Sequence, residues 1–143
     1  MRYLVLVSHA ELAPGVHSVL KMLGLDNDQV KSVNLADGEG ADLFAEKFKA
    51  ALAGLSAQDE VILLGDIVGG SPTTTSLNCL QELGLLANCR AFVGLNLPMA
   101  VCAVSNLDAP SLDAAVQDLL DEAKAAMMDV SPRFEESGEE DDI

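Results

Sequence analysis

Val61-Ile62-Leu63-Leu64-Gly65-Asp66-Ile67-Val68-Gly69-Gly70-Ser71-Pro72 is the stretch on which the reading of this chain turns. Its first four residues are apolar and mostly branched, the pattern of a strand buried on both faces. A carboxylate, Asp66, follows, then two glycines, then Ser71-Pro72. Serine is a preferred N-cap and proline is tolerated in the first helical turn, so the stretch predicts a helix opening at Ser71 or Pro72 with Ser71 as its cap. The backbone N–H groups of Thr73 and Thr74 would then face outward at the positive end of the helix dipole. Such an end attracts anions, phosphate above all. Taken alone, the same residues also describe an ordinary tight connection in any α/β protein.

Working outward, Arg2 to Val7 is a second short apolar run and ends in Ser8-His9. Val16, Val19, Leu20 and Leu23 then recur at helical spacing until Gly24. Val30 to Leu35 is a more polar strand suited to a sheet edge, and a helix with Phe44, Phe48, Ala51, Leu52 and Leu55 on one stripe follows it. Arg90 to Leu95 predicts a fourth strand, and Pro98 starts a short helix. From Ser111 one long helix is expected, with the stripe Leu112, Ala115, Val116, Leu119, Leu120 and Ala123. Met127 to Val130 reads equally as a last helical turn or a short strand.

Strands that alternate with helices predict an α/β, doubly wound, flavodoxin-like and mainly parallel sheet in the order 2-1-3-4, with helices on both faces. In that order strands one and three are neighbours at the switch point. His9 ends one and Asp66 ends the other, so the topology brings them together. A carboxylate that accepts the N–H of one ring nitrogen leaves the other nitrogen as a nucleophile, and it stabilises the cation formed on attack. For a phosphoryl electrophile, Gly69, Gly70, the Ser71 amide and hydroxyl, and the amides of Thr73 and Thr74 are the expected cradle. Ser8, Asn96 and Pro98 are supporting candidates; a loop asparagine that caps backbone and a proline that starts a helix explain the last two without chemistry. Asp66 by itself is also a common turn former. His17 has no acidic or cysteine partner at ligand spacing, which points to a surface or packing role.

With 143 residues the chain is one domain with a single core, and the apolar half of its composition holds few aromatics. Its net charge is −15, and six acids in the last nine residues leave about −9 for the rest. That balance argues against nucleic acid and anionic membranes as partners. Cys79, Cys89 and Cys102 have no paired spacing and read as reduced core thiols. The run from Tyr3 to Val7 is too short for a signal peptide or a membrane span, so a cytoplasmic location is expected. Residues 1–130 are expected to form the domain, with 131–143 a disordered acidic tail. No cofactor and no metal is expected.

These residues resemble the IIA components of the mannose class of the bacterial phosphoenolpyruvate-dependent sugar phosphotransferase system. That family has a histidine after the first strand, D-x-x-G-G-S-P after the third and G-x-N-x-P-M after the fourth. Here stand Ser8-His9, then Asp66 with Gly69-Gly70-Ser71-Pro72, then Gly94, Asn96, Pro98 and Met99. The resemblance implies that His9 takes a phosphoryl group from the carrier protein HPr and hands it to a IIB component, which serves membrane sugar permease subunits. It also implies a homodimer that exchanges a short C-terminal strand, for which Met127 to Val130 is the matching segment. Ala10 stands where the family often has glycine, and Ile67-Val68 where an aromatic is frequent. The chain ends in an acidic tail where many relatives continue into a IIB domain, so a free-standing IIA is expected.

Two other readings compete. A regulatory module with the same fold would bind a partner according to phosphorylation state. A response-regulator receiver would be phosphorylated on Asp66, but it needs an acidic pair after strand one to hold Mg²⁺, and Ser8-His9-Ala10-Glu11 offers one acid.

Overall fold

The computed structural model describes residues 1–131, so the acidic tail expected over 131–143 lies almost wholly outside the described residues. Four strands, β1 (Arg2–His9), β2 (Val30–Leu35), β3 (Glu60–Gly65) and β4 (Cys89–Val93), form one parallel sheet in the order β2-β1-β3-β4. The helices are α1 (Leu12–Met22), α2 (Ala41–Ala51), α3 (Ser71–Glu82), α4 (Leu97–Ser105), α5 (Leu112–Val116) and α6 (Leu119–Ala125).

The unbroken apolar runs of β1 and β3 are explained by burial on both faces. Because side chains alternate across a strand, Leu4, Leu6, Ile62 and Leu64 pack with Val16, Leu20, Met99, Ala103 and Leu119 on one side. Val5, Val7, Val61 and Leu63 pack with Phe44, Phe48, Leu52 and Leu80 on the other. Helices α1 and α4 to α6 thus cover one face and α2 and α3 the second. The winding changes face between β1 and β3, as a switch point requires.

At the opposite end of the sheet, the buried Arg2 guanidinium donates from Nη1 to the Leu107 and Ala109 carbonyls at 2.8 and 2.9 Å. It also pairs with Glu60 at 2.8 Å, which fastens the α4–α5 corner to β1. Arg2→Ala strands two carbonyls and a carboxylate at once. It is expected to cost about 3 kcal/mol in urea unfolding, and a loss below 1 kcal/mol would contradict this role for Arg2.

Two expectations need correction. The helix expected to run unbroken from Ser111 is divided into α5 and α6. Ser111 does cap α5, accepting the Ala114 N–H at 3.1 Å, but Asp118 leaves helical geometry at φ −103°, ψ 2° and restarts the chain as the flank of α6. Leu120 consequently stays exposed. Met127 to Val130 adds no strand to the sheet, and Met127, Met128 and Val130 are exposed. The cysteines are free thiols, and burial pushes the Cys89 thiol up to about 12, so it stays protonated.

Candidate functional site

In the register of β1 against β3, Val7 lies opposite Gly65, so the next residues of both strands emerge side by side at the C-terminal edge of the sheet. There, 57 positions apart in sequence, His9 and Asp66 meet. One carboxylate oxygen, Oδ2, accepts the His9 backbone N–H at 2.9 Å and lies 2.8 Å from the ring Nδ1. The other, Oδ1, accepts the Ile67 N–H at 2.9 Å. Burial by itself would raise the Asp66 pKa and is the largest single influence. The His9 backbone and ring donors and the Ile67 N–H together outweigh it, holding the group below the usual carboxylate range. An ionised carboxylate has no proton to give, so the hydrogen of this contact lies on Nδ1, and it is Nε2 that holds the lone pair whenever the ring is neutral. The His9 side chain is 44% exposed and Asp66 11%, so the imidazole is reachable and the carboxylate that orients it is covered.

The turn from Asp66 to α3 fits closely against that ring. Gly69 has φ +76°, a conformation that glycine adopts without strain. At Gly70 a β-carbon would come within 2.7 Å of His9 Cε1 and 3.5 Å of Nε2, so only a hydrogen fits there. Gly70→Ala should push the imidazole off its Asp66 contact. In the phosphocarrier role that the family resemblance implies, about a hundredfold loss of phosphoryl-transfer rate with an unchanged melting midpoint is expected; transfer within threefold of wild type would show that the ring has room.

Gly70, with extended backbone at φ −82°, ψ 155°, is the N-cap of α3. Ser71, expected as the cap, is instead the first helical residue, and its exposed side chain caps nothing. The close approach to His9 places a residue without a side chain at the turn's end, and the helix begins one position later. The Thr74 N–H, expected to face outward, bonds the Gly70 carbonyl at 3.1 Å as the first turn of the helix. Pro72 has no N–H, which leaves the Ser71 and Thr73 amides at the open helix end, where the helix dipole favours negative charge. The Thr73 hydroxyl is turned inward, donating to the Ile67 carbonyl at 3.1 Å.

The supporting candidates divide. Ser8 is fully buried, and its Oγ accepts the Ala13 N–H at 2.7 Å, anchoring the start of α1 where Glu11 makes no cap bond. Between them Ala10 sits at φ +47°, a left-handed conformation that costs any residue with a β-carbon, and its N–H bonds the Leu35 carbonyl at 2.8 Å. Asn96 caps α4 through the Met99 N–H at 2.8 Å, and Pro98 lies exposed in the first turn of that helix. Both belong to helix initiation. Their segment nevertheless touches the site, because Gly94 N–H bonds the Asp66 carbonyl and Leu95 N–H bonds that of Gly65, each at 3.0 Å. His17 packs as expected: Nδ1 lies 2.8 Å from Ser32 Oγ and Nε2 2.8 Å from Asp26 Oδ1, so both ring nitrogens are engaged.

One wall of the site was not foreseen. A cavity of about 450 Å³ opens beside His9, bounded by Ala10, Leu35 and the loop Ala36-Asp37-Gly38-Glu39. That loop follows β2, which neighbours β1, so the strand order already implied that it would reach the same edge. Exposed Ile67 and Val68 stand on the turn beside the ring.

Known proteins share this fold. The family model described as the PTS system fructose IIA component matches residues 3–120. The mannose-specific EIIAB component of the phosphotransferase system of Escherichia coli (strain K12) is 28% identical over 114 residues, covering 79% of this chain and 34% of that protein. The chain thus spans about a third of the length of the curated relatives it matches. The crystal structure of the phosphotransferase component EIIA from Streptococcus agalactiae superposes with a TM-score of 0.79 at 21% identity, covering 92% of this chain and 99% of that one. The PTS IIA protein associated with the fucose utilization operon of Streptococcus pneumoniae does so at 0.77 and 25%, over 93% and 96%. With the family model spanning every strand of the sheet, the chain belongs to the mannose-class (EIIA-man) family of phosphotransferase-system IIA components.

Proposed function

We propose that His9 is the phosphoryl carrier of this protein, loaded by phospho-HPr and unloaded by a IIB component that serves a membrane sugar permease. The observation that carries this reading is the His9–Asp66 pair, with Nδ1 tied to the carboxylate and Nε2 turned to the glycine turn at the head of α3. The Nε2 lone pair attacks phosphorus while the donor's P–N bond breaks, and the donor nitrogen keeps that electron pair. The imidazolium character that develops on His9 is balanced by Asp66, and the phosphoryl oxygens meet the Ser71 and Thr73 amides. Ile67 and Val68 supply an apolar rim for the partner protein. Residues 1–130 act as one carrier unit. A cytoplasmic location goes with this reading, because its partner HPr is met there; no helix among the described residues is long and apolar enough to cross a membrane.

A homodimer fits the same reading. Among the described residues strand β4 is an edge that pairs with β3 alone, and the segment from Met127 to Val130, in which Met127 and Val130 are exposed, follows the last helix. Pairing that segment with a second copy's β4 would cover both.

The test is intact-mass analysis after incubation with phosphoenolpyruvate, the general phosphotransferase enzyme and HPr. One added phosphate that is labile to acid and stable to alkali is expected, the signature of a P–N bond. A phosphate that is lost in alkali would mean an acyl phosphate on a carboxylate. No added phosphate at all would remove the carrier reading. The receiver alternative is disfavoured already, since both Asp66 oxygens are committed to N–H donors.

A further inference from the structure

Thr73 enters the expected phosphate cradle through its backbone amide alone; its side chain is turned the other way, 6% exposed and directed at the floor of the turn. Its hydroxyl hydrogen is spent on the Ile67 carbonyl at 3.1 Å. A hydroxyl has one hydrogen, so toward a phosphoryl oxygen this Oγ could present only lone pairs, which repel. Beneath it lies Gly65, where a β-carbon would stand 2.3 Å from Thr73 Oγ1. The strand therefore ends in glycine because this hydroxyl occupies the space. Ile67 is held from its other side as well, through its N–H on Asp66 Oδ1. The turn pinned in this way carries at one end the carboxylate that orients His9, and at the other the glycine that lies against the ring.

We propose that Thr73 is a positioning residue for phosphoryl transfer: its hydroxyl latches the Ile67 carbonyl and so sets Gly70 and the helix amides at the right distance from His9 Nε2, without binding phosphate itself. The proposal rests on the phosphocarrier reading above. Gly65 is the second half of the device, since any side chain there displaces the hydroxyl that does the latching.

The experiment compares rates of phosphoryl uptake from phospho-HPr for wild type, Thr73→Val, Thr73→Ser and Gly65→Ala, each with a thermal melt. Thr73→Val keeps the shape and loses the bond, and it is expected to be about tenfold slower. Thr73→Ser keeps the hydroxyl and should return to within twofold of wild type. Gly65→Ala removes no polar group and is shielded from the phosphate by Thr73, yet it should be slowed like Thr73→Val. Should Thr73→Val not fold, Thr73→Ala, which adds no atom, carries the same expectation. The latch is overturned if Thr73→Val transfers at the wild-type rate, if Thr73→Ser is as slow as Thr73→Val, or if Gly65→Ala is unaffected while Thr73→Val is slow, the pattern of a direct phosphate ligand. A wild-type protein that takes up no phosphate would instead overturn the carrier reading beneath it.

Discussion

His9→Ala is expected to take up no phosphoryl group from phospho-HPr, by intact mass, at any enzyme concentration that labels wild type fully. Two histidines are present in the chain, so the prediction asks whether His17 can stand in. It cannot, because its Nδ1 and Nε2 are both engaged, by Ser32 and Asp26. A nitrogen with its lone pair or proton already committed is no nucleophile. The variant should still fold, since His9 stands at the open edge of the sheet and removing its ring creates no cavity in either core layer. Phosphate on a folded His9→Ala protein would move the acceptor elsewhere.

Asp66→Asn is expected to slow uptake by about a thousandfold. The three N–H donors around the carboxylate make the reason specific. If the amide oxygen of asparagine faces His9, its NH₂ group faces the Ile67 N–H, donor against donor. If it flips, the NH₂ faces the His9 N–H and the ring, which forces the proton to Nε2 and removes the nucleophile. Neither orientation satisfies all three. The same substitution should alter the acid side of the stability curve. Because the Asp66 pKa is lowered on folding, its stabilising contribution is complete above the ordinary value of 3.8 and is lost as the pH falls through the lower folded value. Wild type and variant should therefore differ in urea midpoint at neutral pH and converge in acid. Uptake within tenfold of wild type would show that the tautomer is fixed by something else.

Much of this was legible in the chain because burial on two faces leaves a plain mark. Tyr3 to Val7 and Val61 to Leu64 could only be central strands, and once their neighbourhood was granted, His9 and Asp66 had to meet. What was not legible depended on single backbone contacts. Ser71 has the composition of a cap, but the cap fell to Gly70 because the His9 ring leaves no room for a side chain there. Thr74 and Thr73 have the composition of anion donors. One amide closes the first helical turn and one hydroxyl points backward, and neither choice is written in a residue type. The break at Asp118 interrupts a stripe whose periodicity is continuous, so the pattern could not reveal it. The cavity wall at 36–39 was recoverable from strand order alone.

A single oxygen, Asp66 Oδ2, grips both the backbone and the ring of His9. Held through its backbone N–H and its ring Nδ1 by one atom, the imidazole has no rotamer search to make before it reacts. Nothing in that grip distinguishes an incoming phosphoryl group from a departing one. In the proposed carrier role this grip would make transfer kinetically even-handed: it would run forward or backward with the same pose, and the direction of flow would be left to the relative supply of phosphorylated and empty partners.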